Sequence, residues 1–227
     1  MTDIGKHRRR YRSPLRQERA QETRRRVREA ARQLFVERGY SGTTIDAIAR
    51  AAQVSSETVY SVFGSKRSLL EQLVHVAVTG DQDQGPLMEG PGPVETHAAP
   101  DQRELLRRFA HDITWRVERV GPLMEVVAAA ALTEPEMAKL YEQLQAGRLE
   151  NLRTMVGWLA GLGPLRKSVD RAADIVWALA SPEIFGLLTR GRGWSSQEFE
   201  EWLYHSLVEL LVPHPPSGRD TMCSYQR

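Results

Sequence analysis

The chain has 227 residues, of which 41% are hydrophobic and 26% charged, and this composition suits one or two globular domains. No apolar run approaches the roughly 20 residues of a membrane helix, and the basic N-terminus lacks the apolar segment of a secretory signal. Cys223 is the only cysteine, which excludes an internal disulfide, so we expect a cytoplasmic protein.

The net charge of +2 is distributed unevenly. Residues 1–40 hold 13 Lys and Arg against 5 Asp and Glu, whereas the remainder holds 18 basic and 24 acidic residues. A basic N-terminal segment on an otherwise acidic chain suggests that residues 1–40 bind a polyanion.

Residues 1–20 contain 7 basic side chains among polar residues, and no apolar periodicity is visible before Arg24. This pattern predicts a disordered basic N-terminal arm. Two interpretations stay open: a solvated tail, or an arm that follows DNA phosphates or reaches a minor groove.

Residues 21–38 are predicted to form the first helix. Its apolar positions recur at helical spacing and are Val27, Ala30, Ala31, Leu34 and Phe35. Gly39 is a candidate to end it.

Two short helices follow. Thr43 is the predicted N-cap of the first, residues 44–52, with Asp46 in capping-box position. After a turn at Gln53 and Val54, Ser55 is the predicted N-cap of the second, residues 56–63. The second helix carries apolar Val59, Val62 and Phe63 on one side and, on the other, Ser56, Glu57, Thr58, Tyr60 and Ser61. The pair is a helix-turn-helix with a polar-faced second helix that suits a DNA groove.

Gly64 ends this helix, and Lys66 begins the next, where a cation opposes the helix dipole. Lys66 is either a surface lysine whose small cost is tolerated, or part of a clamp that holds a DNA phosphate together with the N–H groups of the helix start.

A string of positions in this stretch closely resembles the TetR family of bacterial transcriptional repressors. They are Gly39, Tyr40, Thr43, Thr44, Ile48, Ala49, Ala52, Val54, Ser55, Val59, Tyr60, Phe63, Ser65, Lys66 and Leu69. The resemblance covers about residues 22–78. It implies that Thr44, Tyr60 and Lys66 contact DNA phosphates. It also implies that the second short helix enters the major groove, with the residues nearest the bases being Ser55, Ser56, Glu57, Thr58 and Ser61.

The sequence departs from the family pattern at two positions. Gln53 replaces the usual turn Gly, which costs on the order of 1 kcal/mol if the turn needs a positive φ. Val62 replaces a frequent His or Tyr. Glu57 is either an acceptor for cytosine N4 or a favourable charge at its own helix start, and the other candidate base contacts are short hydroxyls that discriminate bases poorly.

Residues 21–79 are therefore predicted to form the DNA-binding domain. Residues 80–101, rich in Gly and Pro, are predicted to be a flexible surface loop, with a lid over a ligand pocket as the alternative. Residues 102–213 are predicted to be helical, and residues 214–227 a disordered tail.

Within residues 102–213 the apolar periodicity predicts helices that end or break at Gly and Pro. A helix from Gln102 is expected to break at Gly121 and Pro122 before a short helix over 123–132. Later helices are expected over 134–160, 169–190 with an interruption near Pro182, and 196–212. No strand-like alternation appears, so the predicted fold is all-α, with about nine to ten helices.

The resemblance weakens in this half but implies a ligand-binding and dimerisation bundle in which the last two helices of each subunit pair. The candidate ligand residues are Trp115, Met124, Met137, Tyr141, Trp158 and Trp177, each of which could instead be ordinary core. Few polar groups are predicted beside them, which favours an apolar or amphipathic effector. His111, Arg116 and Glu118 are either gates or surface residues.

These features predict a DNA-binding regulator, most simply a repressor that binds a palindromic operator as a homodimer and is released by a small effector. No phosphate loop, nucleophile elbow or metal-binding pair is present in the sequence, so we expect no enzyme activity, cofactor or metal. The alternatives are a nonspecific architectural DNA binder, which the acidic half argues against, and an activator, which sequence does not separate from a repressor.

Overall fold

The computed structural model describes residues 14–80 and 85–214. The regular structure within these ranges is helical, which confirms the all-α prediction. The α-helices are α1 (Pro14–Arg38), α2 (Ile45–Ala52), α3 (Ser56–Phe63), α4 (Lys66–Thr79), α5 (Pro91–His97), α6 (Gln102–Ala131), α7 (Pro135–Gly161), α8 (Val169–Leu179), α9 (Pro182–Arg192) and α10 (Ser196–Leu211). The chain divides into two compact units, Met1–Leu73 and Val74–Arg227, and α4 runs across the boundary.

The first unit is built on the predicted apolar stripe of α1. Val27, Ala31 and Phe35 are fully buried, and the Phe35 ring stacks on Tyr40 with 6.0 Å between ring centroids. Burying each large apolar side chain contributes roughly 1.5–3 kcal/mol. Gly39 ends the helix with a φ of 70°, as predicted.

The start of α1 corrects the predicted arm. The helix begins at Pro14, whereas the sequence pattern placed the end of disorder at residue 20. The added turns carry no apolar stripe, but Arg, Gln, Glu and Ala are good helix formers, and Pro is favoured in a first helical turn. Arg25 also bonds Glu22 at 2.7 Å and Glu29 at 2.6 Å along the helix. Residues 1–13 of the predicted arm lie outside the described ranges.

The predicted flexible loop over residues 80–101 is also corrected. A 3₁₀ turn, Leu87–Glu89, precedes α5, which begins at Pro91. Pro93 and Thr96 are buried, and the His97 ring stacks on Trp158 at 4.5 Å between centroids. Gly and Pro marked this segment as a loop, but contacts distant in sequence order it. Residues 81–84 are not among those described.

Pro122 does not break α6, contrary to prediction. The helix continues from Gln102 to Ala131 with Pro122 inside it, so the separate helix over 123–132 does not exist. Pro costs a helix one hydrogen bond and introduces a clash, about 3 kcal/mol in an exposed helix. Here Val120, Leu123 and Val127 lie buried on either side of it, and their packing holds the helix together.

The second unit has its core where α6, α7, α8, α9 and α10 meet. Serine hydroxyls cap three of these helices at their first turns, namely Ser168, Ser181 and Ser195. The interruption predicted near Pro182 separates α8 from α9. Large buried side chains of the core include Leu105, Leu106, Phe109, Leu159, Phe199, Leu203 and Leu207.

One stretch, Val169–Arg192, is long and apolar enough to span a membrane by length and composition alone. It comprises α8 and α9, and its apolar side is core: Ala172, Ala173 and Val176 are fully buried. Core helices of globular proteins pass the same test, so the stretch is weak support for a membrane span.

Candidate nucleic-acid interface and cavity

Thr44 begins α2. Its backbone is extended, and its hydroxyl accepts a hydrogen bond from the Ala47 N–H at 3.1 Å. The predicted cap, Thr43, is wrong: Thr43 is buried, and its hydroxyl lies 2.8 Å from the Gly39 carbonyl and 3.0 Å from that of Leu34. Thr43 thus ties the loop to the end of α1. With the helix starting at Ile45, Asp46 stands one position too early for the predicted capping box.

The turn between α2 and α3 has the backbone conformation that the sequence raised as a possibility. Gln53 adopts φ 55° and ψ 47°, and it is the one residue other than glycine with positive φ in the described part of the chain. A left-handed conformation costs a residue with a Cβ roughly 1–2 kcal/mol. The turn is closed by the Val54 N–H, which donates to the Ala49 carbonyl at 3.0 Å.

Ser55 caps α3 as predicted, accepting from the Thr58 N–H at 3.2 Å. The Glu57 carboxylate lies at the same helix start. Hydrogen bonds from its own N–H and from the Ser55 hydroxyl hold the pKa of Glu57 below its ordinary 4.5. In the DNA-free protein Glu57 therefore stabilises the first turn of α3, the second of its two predicted roles.

A hydrogen bond joins α3 to α2. The Ser56 hydroxyl donates to the Asp46 carboxylate at 2.5 Å. This contact was missed from the sequence, because the two residues are 10 positions apart and each has a local explanation as a helix-start residue. It fixes the angle between the two helices, and it commits the Ser56 proton that a base contact would use.

The outward side of α3 is polar, and its inward side holds Val59 and Phe63 in the core. Tyr60 is 54% exposed, and Ser61 is exposed beside it. Val62 is half-buried, so it faces neither core nor solvent fully. Of the predicted contact residues, those classed as exposed are Thr44, Ser55, Glu57, Tyr60 and Ser61, and those that are half-buried are Ser56, Thr58 and Lys66.

Lys66 turns toward the protein. Its Nζ donates to the Tyr40 carbonyl at 2.9 Å and to the Thr43 carbonyl at 3.1 Å, and it lies 4.0 Å from the centre of the Tyr40 ring. Two of its three N–H donors are thereby committed to the corner between α1 and α2. This explains the cation at a helix start better than either predicted role: Lys66 stabilises the end of α1 and the loop after it.

The resulting surface can bind a nucleic-acid backbone and has a short, hydroxyl-rich helix face for base edges. The N–H groups in the first turns of α2, α3 and α4 have no acceptor within their own helices, so they can donate hydrogen bonds to phosphate oxygens. Thr44 and Ser55 already satisfy one such group each through their hydroxyl oxygens, and the Ser55 hydroxyl also donates to the Glu57 carboxylate.

The second unit contains a cavity of about 730 Å³. Its wall includes the 3₁₀ turn, α5, α6 and a residue of α10, so the segment predicted to be a loop or a lid forms one side of it. Trp115 is the large aromatic in the wall, 41% exposed. The charged lining residues are Glu89, Glu95, Arg107, Arg108, Asp112, Arg116 and Glu200.

An ion pair between the buried Arg116 and the half-buried Asp112 lines this cavity. The Arg116 guanidinium donates to the two carboxylate oxygens of Asp112 at 2.7 and 2.8 Å and to the Val78 carbonyl. A Cβ at Gly92 would come within 2.0 Å of the Asp112 carboxylate, so α5 approaches the pair closely only because residue 92 is glycine. His111 also lines the cavity, 3.1 Å from the Glu200 carboxylate.

The predicted ligand residues are not gathered around this cavity. Trp115 lines it, but Met124 and Met137 are buried core residues. Trp158 packs on the core and on His97, while Tyr141 and Trp177 lie on α7 and α8. Of the predicted gates, His111 and Arg116 line the cavity, and Glu118 accepts a bond from Ser196 at 3.0 Å on the surface. Among the described residues, no group of three or more His, Cys, Asp or Glu is placed to hold a metal ion.

The first unit matches a known family of sequences. The sequence model for "Bacterial regulatory proteins, tetR family" matches residues 27–73, which comprise most of α1, all of α2 and α3, and the start of α4. No curated protein matches the chain closely enough to extend this comparison.

Solved structures resemble the chain over most of its length. A TetR-family transcriptional regulator PfmR from Thermus thermophilus has a TM-score of 0.61 at 22% identity, with 83% of this chain and 99% of that one covered. A putative TetR-family regulator from Mesorhizobium loti has a TM-score of 0.60 at 19% identity, covering 85% and 98%. NalD, described as the secondary repressor of the MexAB-OprM multidrug efflux pump in Pseudomonas aeruginosa, has a TM-score of 0.60 at 19% identity, covering 87% and 100%.

At these identities the likeness shows the fold, which in this chain joins a helix-turn-helix unit to a second helical unit. The family match covers the helix-turn-helix itself, so residues 27–73 are similar in sequence to the bacterial regulatory proteins of the tetR family, and most of the chain is similar in fold to solved TetR-family regulators.

Proposed function

We propose that this protein is a homodimeric transcriptional repressor that binds a palindromic operator and is released from it by a small amphipathic molecule. The observation that carries the proposal is the face of α3. Its apolar side is buried, Ser55 and Glu57 stabilise its start, and Ser56 fixes it to α2. A short helix held so rigidly, with hydroxyls and Tyr60 outward, suits insertion into a major groove.

Dimerisation is supported by the small number of base pairs that one such helix can contact. A single short helix reaches a few base pairs, and two copies on a two-fold axis, about 34–36 Å apart, read successive major grooves. Exposed apolar side chains on the C-terminal helices are consistent with pairing there, including Leu187 on α9 at 64% and Leu210 on α10 at 42% exposed.

The cavity supports control by a ligand. Its volume lies in the usual range for small-molecule sites, and its wall combines Trp115, Leu87 and Pro86 with charged groups. An amphipathic effector suits such a wall better than a wholly apolar one. Suppose that a ligand binds more tightly, by about 3 kcal/mol, to the dimer in which the spacing of the two α3 helices does not match the operator. Such a ligand would weaken operator binding roughly 150-fold.

The direct test selects operator sequences from random DNA with the full chain. We expect a palindrome whose half-sites lie one helical turn apart, and dimers by analytical ultracentrifugation at the same salt. Tyr60→Ala should lose affinity for the selected site while remaining a dimer at the same salt. Equal binding of selected and random DNA at physiological salt would favour the architectural alternative.

The sign of regulation needs a separate measurement. We expect a reporter placed behind the selected operator to be silenced by the protein in the cytoplasm and restored by the effector. Activation from the same site would identify an activator and leave the DNA-binding proposal intact. The role proposed here requires no enzymatic step.

A further inference from the structure

Three buried N–H groups of the second unit have no hydrogen-bond acceptor among the residues that the structure describes. They are Nε and Nη1 of Arg148 and the indole Nε1 of Trp177. Arg148 lies on α7 and Trp177 on α8, and the two side chains are in contact: Nη2 of Arg148 donates to the Trp177 carbonyl, and the guanidinium carbon lies 5.3 Å from the Trp177 ring centre. A buried donor without an acceptor destabilises the folded state, so three in one place call for an explanation.

The guanidinium also has no counterion in the described part of the chain. None of the ion pairs among the described residues includes Arg148, and Glu183 and Tyr141 act on it only through space. Burial lowers the pKa of Arg148 to about 10, so it remains charged at neutral pH. A water molecule could accept from one or two of the donors, but it would supply no negative charge.

A fourth donor lies on the same face of α7. The Tyr141 hydroxyl accepts from Gln145 at 2.9 Å, which leaves its proton available. Residues 141, 145 and 148 follow one another at helical spacing. Tyr141, Arg148 and Trp177 are each partly exposed as residues, whereas the three orphan atoms are covered, so a ligand reaches these atoms only when the side chains over them move.

We propose that Arg148, Trp177 and Tyr141 form a binding site for an aromatic carboxylate between α7 and α8. A carboxylate offers about four acceptor positions and one negative charge, which match the four donors and the uncompensated guanidinium. The indole and phenol rings supply flat apolar surfaces that suit an aromatic body. The site is separate from the cavity at Trp115. That the bound carboxylate also controls operator affinity rests on the proposed function.

The test is a titration of the full-length, DNA-free protein with benzoate, in which binding is measured by calorimetry and by tryptophan fluorescence. Benzyl alcohol and benzyltrimethylammonium are the matched probes without the carboxylate. Benzoate should bind saturably at one site per chain and raise the thermal midpoint, whereas the other two should not. Arg148→Met should weaken benzoate at least about 10-fold, and Trp177→Phe should weaken it less, because it removes one neutral donor.

Arg153→Met is the control on the same helix, since Arg153 is exposed and lies 3.8 Å from Glu150 and 3.6 Å from Asp170. It should leave benzoate binding unchanged. Without benzoate, Arg148→Met should be at least as stable as the natural protein, because it removes a buried, uncompensated charge.

Equal benzoate affinity in the natural protein and Arg148→Met would overturn the proposal, as would binding of benzyl alcohol as tight as that of benzoate. No benzoate binding, together with weaker self-association of Arg148→Met, would overturn it in favour of a carboxylate from a second copy of the chain. Benzoate binding that leaves operator affinity unchanged would keep the site and refute its regulatory role. Failure to select an operator would bear only on the proposed function.

Discussion

Replacing Lys66 with methionine should destabilise the first unit rather than remove one phosphate contact. The ammonium donates two hydrogen bonds, to the Tyr40 and Thr43 carbonyls, and lies over the Tyr40 ring. Hydrogen bonds to a charged group contribute about 1.5–3 kcal/mol, counted once here because the same ammonium makes both bonds, and an aromatic contact with a cation adds about 0.5–1 kcal/mol. The methionine keeps the apolar stem, so we expect a loss of about 2–4 kcal/mol in the free energy of unfolding of this unit.

Urea denaturation of the full chain, with hydrogen exchange of the α1–α3 amides to identify the unit that opens, measures this loss. Arg50→Met is the control, because it removes one positive charge from an exposed position of the same unit. In operator binding, Lys66→Met should lower the affinity while keeping the dependence on salt. Unchanged stability together with a salt slope reduced by about 0.9 would refute this reasoning and identify Lys66 as a phosphate contact.

Three further outcomes are expected in the helix-turn-helix. Gln53→Gly should raise the unfolding free energy by up to about 1 kcal/mol in urea, because glycine adopts a φ of 55° without strain; a loss of stability would contradict this account of the turn. Ser56→Ala should cost about 1 kcal/mol, and a double-mutant cycle with Asp46→Ala should show coupling; additive effects would mean that the hydrogen bond contributes little. The pKa of Glu57 is lowered on folding, so its stabilisation is present above pH 4.5 and fades as the pH falls through the lowered value. Glu57→Gln should therefore flatten the loss of stability in acid, and an unchanged pH profile would contradict this role.

The local part of the DNA-binding unit could be predicted because its signals lie within a few residues of one another. The cap at Ser55, the positive φ at Gln53 and the end of α1 at Gly39 all follow from neighbouring side chains and backbone preferences. The choice of Thr44 rather than Thr43 as the N-cap could not be predicted in this way. Both are good caps in sequence, and it is the bond from Thr43 to Leu34, 9 residues away, that leaves Thr44 to cap the helix.

The remaining differences between the sequence predictions and the structure also arise from contacts with residues that are distant in sequence. Lys66 reaches carbonyls 26 and 23 residues back in the chain, so no periodicity at its own position indicates its role. Pro122 sits inside α6 because residues packed around it outweigh the lost hydrogen bond. The aromatic and methionine residues of the second unit have the composition of a pocket, but composition does not tell core packing from a cavity wall. In the structure, the cavity is lined by charged residues of α5 and α6 instead.

The position of Lys66 limits where α4 can flex. Two hydrogen bonds from Lys66 join the first turn of α4 to the loop between α1 and α2. A rotation of that turn would therefore either move the loop as well or break both hydrogen bonds. Leu69 and Leu70, one turn further, are fully buried. The helix-turn-helix and the start of α4 should therefore move as one rigid piece, and any pivot within the helix lies beyond Leu70, toward the boundary after Leu73.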